Sequence, residues 1–254
     1  MRILVTNDDG IFAPGIHLLR GRMAELGTAT AVAPLTEQSG TGHSITLYHP
    51  LRVREIARKG EPVCYGVSGT PADCVKIAIT ELLPKPPDLV ISGINPGGNI
   101  GTNVIYSGTV SAAMEAFVMG CSSIAVSIDT FKPTAAQYDK AAEVAVKVAR
   151  LALKKGFPRC LLNVNLPDLP PKKMKGLKLT RQGMSRFIEF FEKRQDPRGH
   201  NYYWLDGELV DNTPSHDSDY GAVHDGYISV TPLSCDMTYD AVMGNVKKGL
   251  SALF

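Results

Sequence analysis

Short apolar runs and helical periods alternate along the first two-thirds of the chain. Ile3, Leu4 and Val5 form a run that breaks abruptly into Thr6, Asn7, Asp8, Asp9 and Gly10. A β-branched run cut off by turn residues reads as a buried parallel strand. Pro14 opens a helical period through Ile16, Leu18, Leu19, Met23 and Leu26, and Gly27 stops it. Residues 29–33 are a second apolar run, closed by Pro34. Residues 45–56 and 62–67 read as strands of an antiparallel excursion. Pro71 then opens a helix through residue 83, with Val75, Ile77, Ala78 and Leu82 as its apolar side. Runs at 89–91, 124–128 and 160–164 predict three further strands. Between them lie a small-residue helix over 110–119 and a long helix over 135–155 with basic residues toward its end. The alternation predicts an α/β fold: a Rossmann-like, doubly wound, mostly parallel sheet.

The texture changes at Pro167. Pro170 and Pro171 follow, then the basic run Lys172, Lys173 and Lys175. This predicts a catalytic core over 1–170 and a smaller C-terminal, β-rich extension over 171–254. Residues 177–235 alternate like antiparallel strands, and 239–253 read as a terminal helix. A meander this thin is marginal alone, so the extension is expected to pack on the core or on a partner subunit and not to form an independent domain.

Composition narrows the classes. Of the 254 residues, 44% are hydrophobic and 20% charged, ordinary for a soluble globular protein, and the net charge of +2 makes no case for nucleic acid or a membrane surface. The basic run at 172–175 then reads as a solvated loop. The five cysteines (64, 74, 121, 160 and 235) are scattered, odd in number and lack a Cys-x-x-Cys pair, which argues against a disulfide framework and a structural zinc. Buried thiols in a reducing compartment fit, so a cytoplasmic location is expected. The first residues read as a strand and not as a signal peptide. No run approaches 18 apolar residues, so no membrane span is expected.

Three oxygen-rich loops follow separate strands: 6–10, 36–44 and 92–101. In a doubly wound sheet they meet at the carboxyl edge, where ligands bind. Asp8 and Asp9 have two readings: a turn with a helix cap, or a pair of carboxylates relieved by a hard divalent cation, Mg²⁺, Mn²⁺ or Ca²⁺. Loop 36–44 is either a surface loop or a source of ligand donors. Ser107 and Thr109 either cap the following helix or cradle an anion at its N-terminus. Neither Gly-x-Gly-x-x-Gly nor the P-loop pattern follows the first strand, which disfavours dinucleotide cofactors, a Rossmann-type oxidoreductase and ATP-driven chemistry. A metal beside an anion cradle fits phosphate-ester hydrolysis by an activated water. A non-catalytic nucleotide sensor would use the same pocket.

Asn7-Asp8-Asp9-Gly10, Ser39-Gly40, Ser44-Ile-Thr-Leu47, Ser92-Gly-Ile-Asn95, Asn99-Ile-Gly101, Tyr106-Ser-Gly-Thr-Val110 with Ala112-Ala-Met-Glu115, and Ser229-Val-Thr-Pro-Leu233 occur in this order. The ordered set resembles the SurE family of stationary-phase survival proteins over nearly the full length. The resemblance implies a metal-dependent phosphatase acting on nucleoside 5′- and 3′-monophosphates, sometimes also on short polyphosphate. It implies a Rossmann-like core, and homodimers or homotetramers assembled through the C-terminal extension. By position it implies Asp8, Asp9, Ser39 and Asn95 as ligands of one Mg²⁺ or Mn²⁺. It places the phosphate on Gly40, Asn95, Asn99, Ser107, Gly108 and Thr109. Asp8 or Asp9 could take the proton of the attacking water. His43 is a candidate proton donor on general acid–base grounds, or a neutral histidine hydrogen-bonded within its loop. Pro96 narrows the conformations of loop 92–101.

Overall fold

Strand β1 (Arg2–Thr6) sits at the middle of the molecule, and its alternation explains the layers. Ile3 and Val5 face one side and Leu4 the other, as a period of two requires. In the computed structural model, which describes residues 1–57, 62–210 and 215–251, all three are buried. The chain continues through α1 (Pro14–Met23), β2 (Thr28–Pro34), β3 (Val53–Ile56), β4 (Cys64–Val67), α2 (Pro71–Ile77), β5 (Leu89–Pro96), α3 (Gly108–Val118), β6 (Ser122–Ile128), α4 (Ala135–Ala152) and β7 (Leu161–Leu166). It closes with β8 (Leu177–Leu179), β9 (Arg186–Gln195), β10 (Asn201–Val210), α5 (Asp219–His224), β11 (Ile228–Leu233) and α6 (Asp240–Ser251).

Nine strands form one sheet in the order β3-β4-β2-β1-β5-β6-β7-β11-β8. From β4 to β7 every pairing is parallel. β3 against β4 and β11 against β7 are antiparallel. Helices α1 and α4 cover the face of Ile3 and Val5, through Ile16, Leu19, Met23 and Val148. Helices α2 and α3 cover the face of Leu4, through Cys74, Val75, Ala112 and Ala116. Burying each large aliphatic side chain contributes about 1.5–3 kcal/mol. The expected Rossmann-like α/β architecture is the one observed. Among the described residues no helix is long and apolar enough to cross a membrane.

Local departures have local causes. Residues 45–52 carry no strand, because Thr46 is tied to a side chain: its N–H and hydroxyl donate to Asp73, at 3.0 and 2.6 Å. The α-helix from Pro71 ends at Ile77 and widens into a π-turn over Ala78–Leu82. The long helix stops at Ala152, short of residue 155. Among the described residues of the C-terminal segment only β9 and β10 form a free-standing antiparallel hairpin. β8 runs parallel to β11, and β11 joins the main sheet beside β7. The terminal helix spans Asp240–Ser251: Tyr239 precedes it, and residues 252–253 of its expected length lie outside the described residues.

Asp219 ties this segment to the core. Its carboxylate is fully buried and accepts the N–H groups of Gly101 (3.0 Å), Gly183 (2.8 Å) and Tyr220 (2.8 Å). Burial pushes its pKa up, and those N–H donors oppose the shift. Asp219→Ala would strand two buried donors and one half-buried one, at about 1–3 kcal/mol for each buried one. A loss of at least about 2 kcal/mol in chemical denaturation is therefore expected, and an unchanged unfolding midpoint would refute this tie.

Candidate functional site

The site starts where β1 ends. Asn7 is buried and brackets the turn, accepting the Gly10 N–H and donating to the Gly10 carbonyl, both at 3.1 Å. That bracket aims Asp8 into the rim of the sheet, where it is only 4% exposed. The N-terminus of α3 is pressed against it. The Thr109 hydroxyl donates to Asp8 Oδ1. Gly108 has no side chain because Asp8 occupies its place: a Cβ there would stand 2.8 Å from Asp8 Cβ. Ser107 caps the helix, its hydroxyl oxygen accepting the Val110 N–H at 3.0 Å. The positive end of the helix dipole thus faces a carboxylate.

The electrostatics remain unbalanced. Burial raises the Asp8 pKa, against the lowering effect of the Thr109 hydrogen bond. Asp9 is pushed up to about 7, by burial first, then by the charges of Asp8 and Glu37. No ion pair to Lys, Arg or His reaches either carboxylate among the described residues. Nor do three His, Cys, Asp or Glu side chains gather as a metal cluster among them. A hard cation fits this deficit, and it would draw on two carboxylates and on neutral oxygens such as those of Ser39 and Asn95.

Loop 36–44 is held from both sides. The Gln38 N–H donates to the Asp8 carbonyl (2.8 Å), and the Gly42 N–H donates to the Tyr106 carbonyl (3.1 Å). The Ser39 hydroxyl donates to Glu37 Oε1 at 2.8 Å. His43 Nε2 lies 2.8 Å from Glu115 Oε2, and Lys76 Nζ donates to Glu115 Oε1 at 2.6 Å. The hydrogen bond from His43 is the main cause that lowers the Glu115 pKa.

The loop after β5 is held as firmly. Pairing with β6 slips between Ser92 and Asn95, and the Gly93–Ile94 peptide is cis. Asn95 Nδ2 donates to the Gly97 carbonyl at 2.7 Å. The Asn99 N–H donates to Asn165 Oδ1 (2.8 Å), its Nδ2 donates to Ser127 Oγ (2.7 Å), and its carbonyl accepts from Asn163 Nδ2 (2.8 Å).

These loops open on a cavity of about 670 Å³. Asp8, Ser39, Gly40, Asn95 and Asn99 line it, which brings five of the expected site residues together. Thr109 and Gly108 touch Asp8 itself, and Asp9 adjoins it in sequence. His43 is engaged with Glu115. The lining also holds Pro96 and Tyr106, which the motifs contain without a site role, and Asp129 and Phe131 from the core and Glu189 and Leu205 from the hairpin, which the sequence did not single out. Asp129 follows directly on β6, so the carboxyl-edge rule that singled out Asp8 applies to it too. Nothing local in sequence places Glu189 and Leu205, because the approach of the hairpin is a tertiary event.

The family model for survival protein SurE matches residues 3–189. A 5′-nucleotidase SurE of Syntrophobacter fumaroxidans is 49% identical over 251 residues, 98% of this chain and 99% of the relative. A 5′-nucleotidase SurE of Carboxydothermus hydrogenoformans is 46% identical, over 100% of this chain and 97% of the relative. The crystal structure of the SurE protein from Aquifex aeolicus superposes with a TM-score of 0.82 at 42% identity, covering 98% of this chain and 99% of that one. The chain belongs to the survival protein SurE family.

Proposed function

We propose that this chain is a 5′-nucleotidase: a divalent-metal-dependent phosphohydrolase that releases phosphate from nucleoside 5′-monophosphates. The observation that carries the reading is the pair Asp8 and Asp9, crowded at a buried strand end with their pKa values raised and, among the described residues, no Lys, Arg or His ion pair to either. The names of the relatives supply the substrate class. We assign Asp8, Asp9, Ser39 and Asn95 to one Mg²⁺ or Mn²⁺. Once bound, such a cation polarises a phosphoryl oxygen and makes a water acidic enough to attack phosphorus.

The chain's own groups do the rest. The Thr109 hydroxyl holds the Asp8 carboxylate in one orientation. Asp8 or Asp9 accepts the proton of the attacking water. Gly40, Asn95, Asn99 and the 107–109 turn hold the phosphate. With the Ser107 and Thr109 side chains engaged by Val110 and Asp8, that turn offers chiefly its backbone and the helix dipole. His43, bridged to Glu115, suits anchoring of the loop that carries Ser39 and Gly40 better than proton delivery. 3′-Monophosphates and short polyphosphate are further substrates to assay. The exposed apolar side chains of α6, Val242, Met243, Val246 and Leu250, support assembly into a homodimer or homotetramer through the C-terminal extension. A cytoplasmic setting completes the proposal.

Phosphate release from a panel of 5′- and 3′-monophosphates tests it. EDTA should abolish release, and added Mg²⁺ or Mn²⁺ should restore it. Asp8→Asn and Asp9→Asn should each lower kcat by at least about 100-fold with the fold intact by circular dichroism. Nucleotide binding without release under every metal would leave a sensor. Gly108→Ala should lower both kcat and melting temperature, because the new methyl would stand 2.8 Å from Asp8 Cβ in a buried place and must displace it, and a shift of about 1 Å can cost about 100-fold in rate. Full activity in that variant would show that Asp8 has room to spare.

A further inference from the structure

Asn99 stands among Gly97, Gly98 and Gly101, in a stretch of backbone with wide conformational freedom. Gly97 and Gly101 use that freedom, with φ of +111° and +58°. The loop is fastened at both ends. The Gly97 N–H donates to the Ile128 carbonyl at 2.8 Å, and the N–H groups of Gly101 and Thr102 donate to Asp219 Oδ2 and the Ser185 carbonyl, at 3.0 and 2.9 Å. These bonds close the loop and leave the direction of Asn99 open.

A separate set of side chains fixes it. Asn163 and Asn165 are two residues apart on β7, share one face and are fully buried. Asn165 grips the Asn99 backbone as a neighbouring strand would: its Oδ1 accepts the N–H at 2.8 Å and its Nδ2 donates to the carbonyl at 3.1 Å. Asn163 Nδ2 donates to the same carbonyl at 2.8 Å and fills its second lone pair. Among the described residues Asn163 Oδ1 has no partner, so what this side chain contributes is the donor. On β6, opposite Asn165, the fully buried Ser127 accepts from Asn99 Nδ2 at 2.7 Å. Ser127 takes one of the two Nδ2 hydrogens and so sets the plane of an amide that lines the cavity.

Asparagine is a poor strand residue, and burying its amide is costly unless the amide is hydrogen-bonded. A loop that only had to be closed would not need two of them, since its ends are tied elsewhere. We infer that Asn163, Asn165 and Ser127 are positioning residues that hold Asn99 in the orientation in which its amide meets the phosphate of the substrate. The inference deepens the nucleotidase reading and rests on it for the phosphate. None of the three is among the described lining residues of the cavity, so each acts through Asn99. A hydrogen-bond donor works at full strength only when it is held within about 0.5 Å of its productive place, and in a glycine-rich loop that hold must come from outside the loop.

Double-mutant cycles in the full chain test it, read by calorimetric binding of inorganic phosphate with Mg²⁺ present and by kcat/KM for adenosine 5′-monophosphate. Ser127→Ala and Asn165→Ala should each weaken phosphate binding and lower kcat/KM about 10-fold. Asn99→Ala should do the same, and on that background neither substitution should cost more than about 2-fold further, because no amide is left to aim. Val164→Ala, on the opposite face of β7, should lower the melting temperature and leave phosphate affinity unchanged. Ser127→Ala removes a single oxygen, so its cycle decides the matter if Asn165→Ala does not fold by circular dichroism. Native phosphate affinity in folded Ser127→Ala, losses that multiply with that of Asn99→Ala, an equal loss in Val164→Ala, or no phosphate binding by the native chain would each overturn the inference. Phosphate binding that shows the expected cycles, with no release from any monophosphate, would sink the hydrolase reading and leave the positioning role standing.

Discussion

Two neighbouring carboxylates held at the buried end of a central strand are the constraint on which the rest of this molecule depends. Left alone, such a pair would protonate or turn out to water. Here Asn7 closes the turn beneath them, the Thr109 hydroxyl pins Asp8, and Gly108 lets the first turn of α3 come close enough to do so. The loop after β2 is tied to the Asp8 carbonyl through Gln38. The doubly wound sheet makes this possible because β1 is flanked by β2 and β5, whose loops open on the same edge. The helix dipole and one hydrogen bond lessen the electrostatic deficit without cancelling it, which is why the site reads as a place for a cation and not as a finished salt-bridge cluster.

Much of this was legible in the sequence because its signals are local. Ile3, Leu4 and Val5 followed by Asn-Asp-Asp-Gly give strand, rim and chemistry within eight residues, and the repeats of that pattern at 29–34 and 89–95 set the sheet. The ordered motifs also carried the family. Departures appear wherever a side chain from afar decides the backbone. Residues 45–52 look like strand, but Asp73, nearly thirty residues on, takes the hydrogen bonds of Thr46 that a strand neighbour would have used. β8 pairs in parallel with β11, about fifty residues away, and three residues of alternating pattern carry no information about direction.

The candidate site divides the same way. Asp8, Ser39, Gly40, Asn95 and Asn99 converge on one cavity because each sits at the carboxyl end of its strand or in the loop beyond it, Asn95 among the last paired residues of β5. Glu189 and Leu205 were invisible because they belong to a hairpin whose approach no local pattern encodes. His43 was ambiguous in sequence as a histidine in a polar loop always is, and its partner Glu115 lies 72 residues away on α3. The amide network of Asn99, Asn163 and Asn165 was equally out of reach, since buried asparagines on a strand look like interruptions until their shared partner is known.

The hairpin carries one more consequence. Among the described residues its strands pair only with each other, and its base is fastened where the Thr102 N–H and hydroxyl meet the Ser185 carbonyl, at 2.9 and 3.0 Å. A two-stranded ribbon fastened in this way opens at lower free energy than strands shared by a nine-stranded sheet. The two sides of the cavity therefore belong to different cooperative units. In hydrogen exchange, amides of β1 and β5 would open only with the whole fold, while those of β9 and β10 would open on their own. The cavity is thus a hinged vessel: its floor shares the global stability of the protein, and its outer wall can part from the floor while the sheet stays closed.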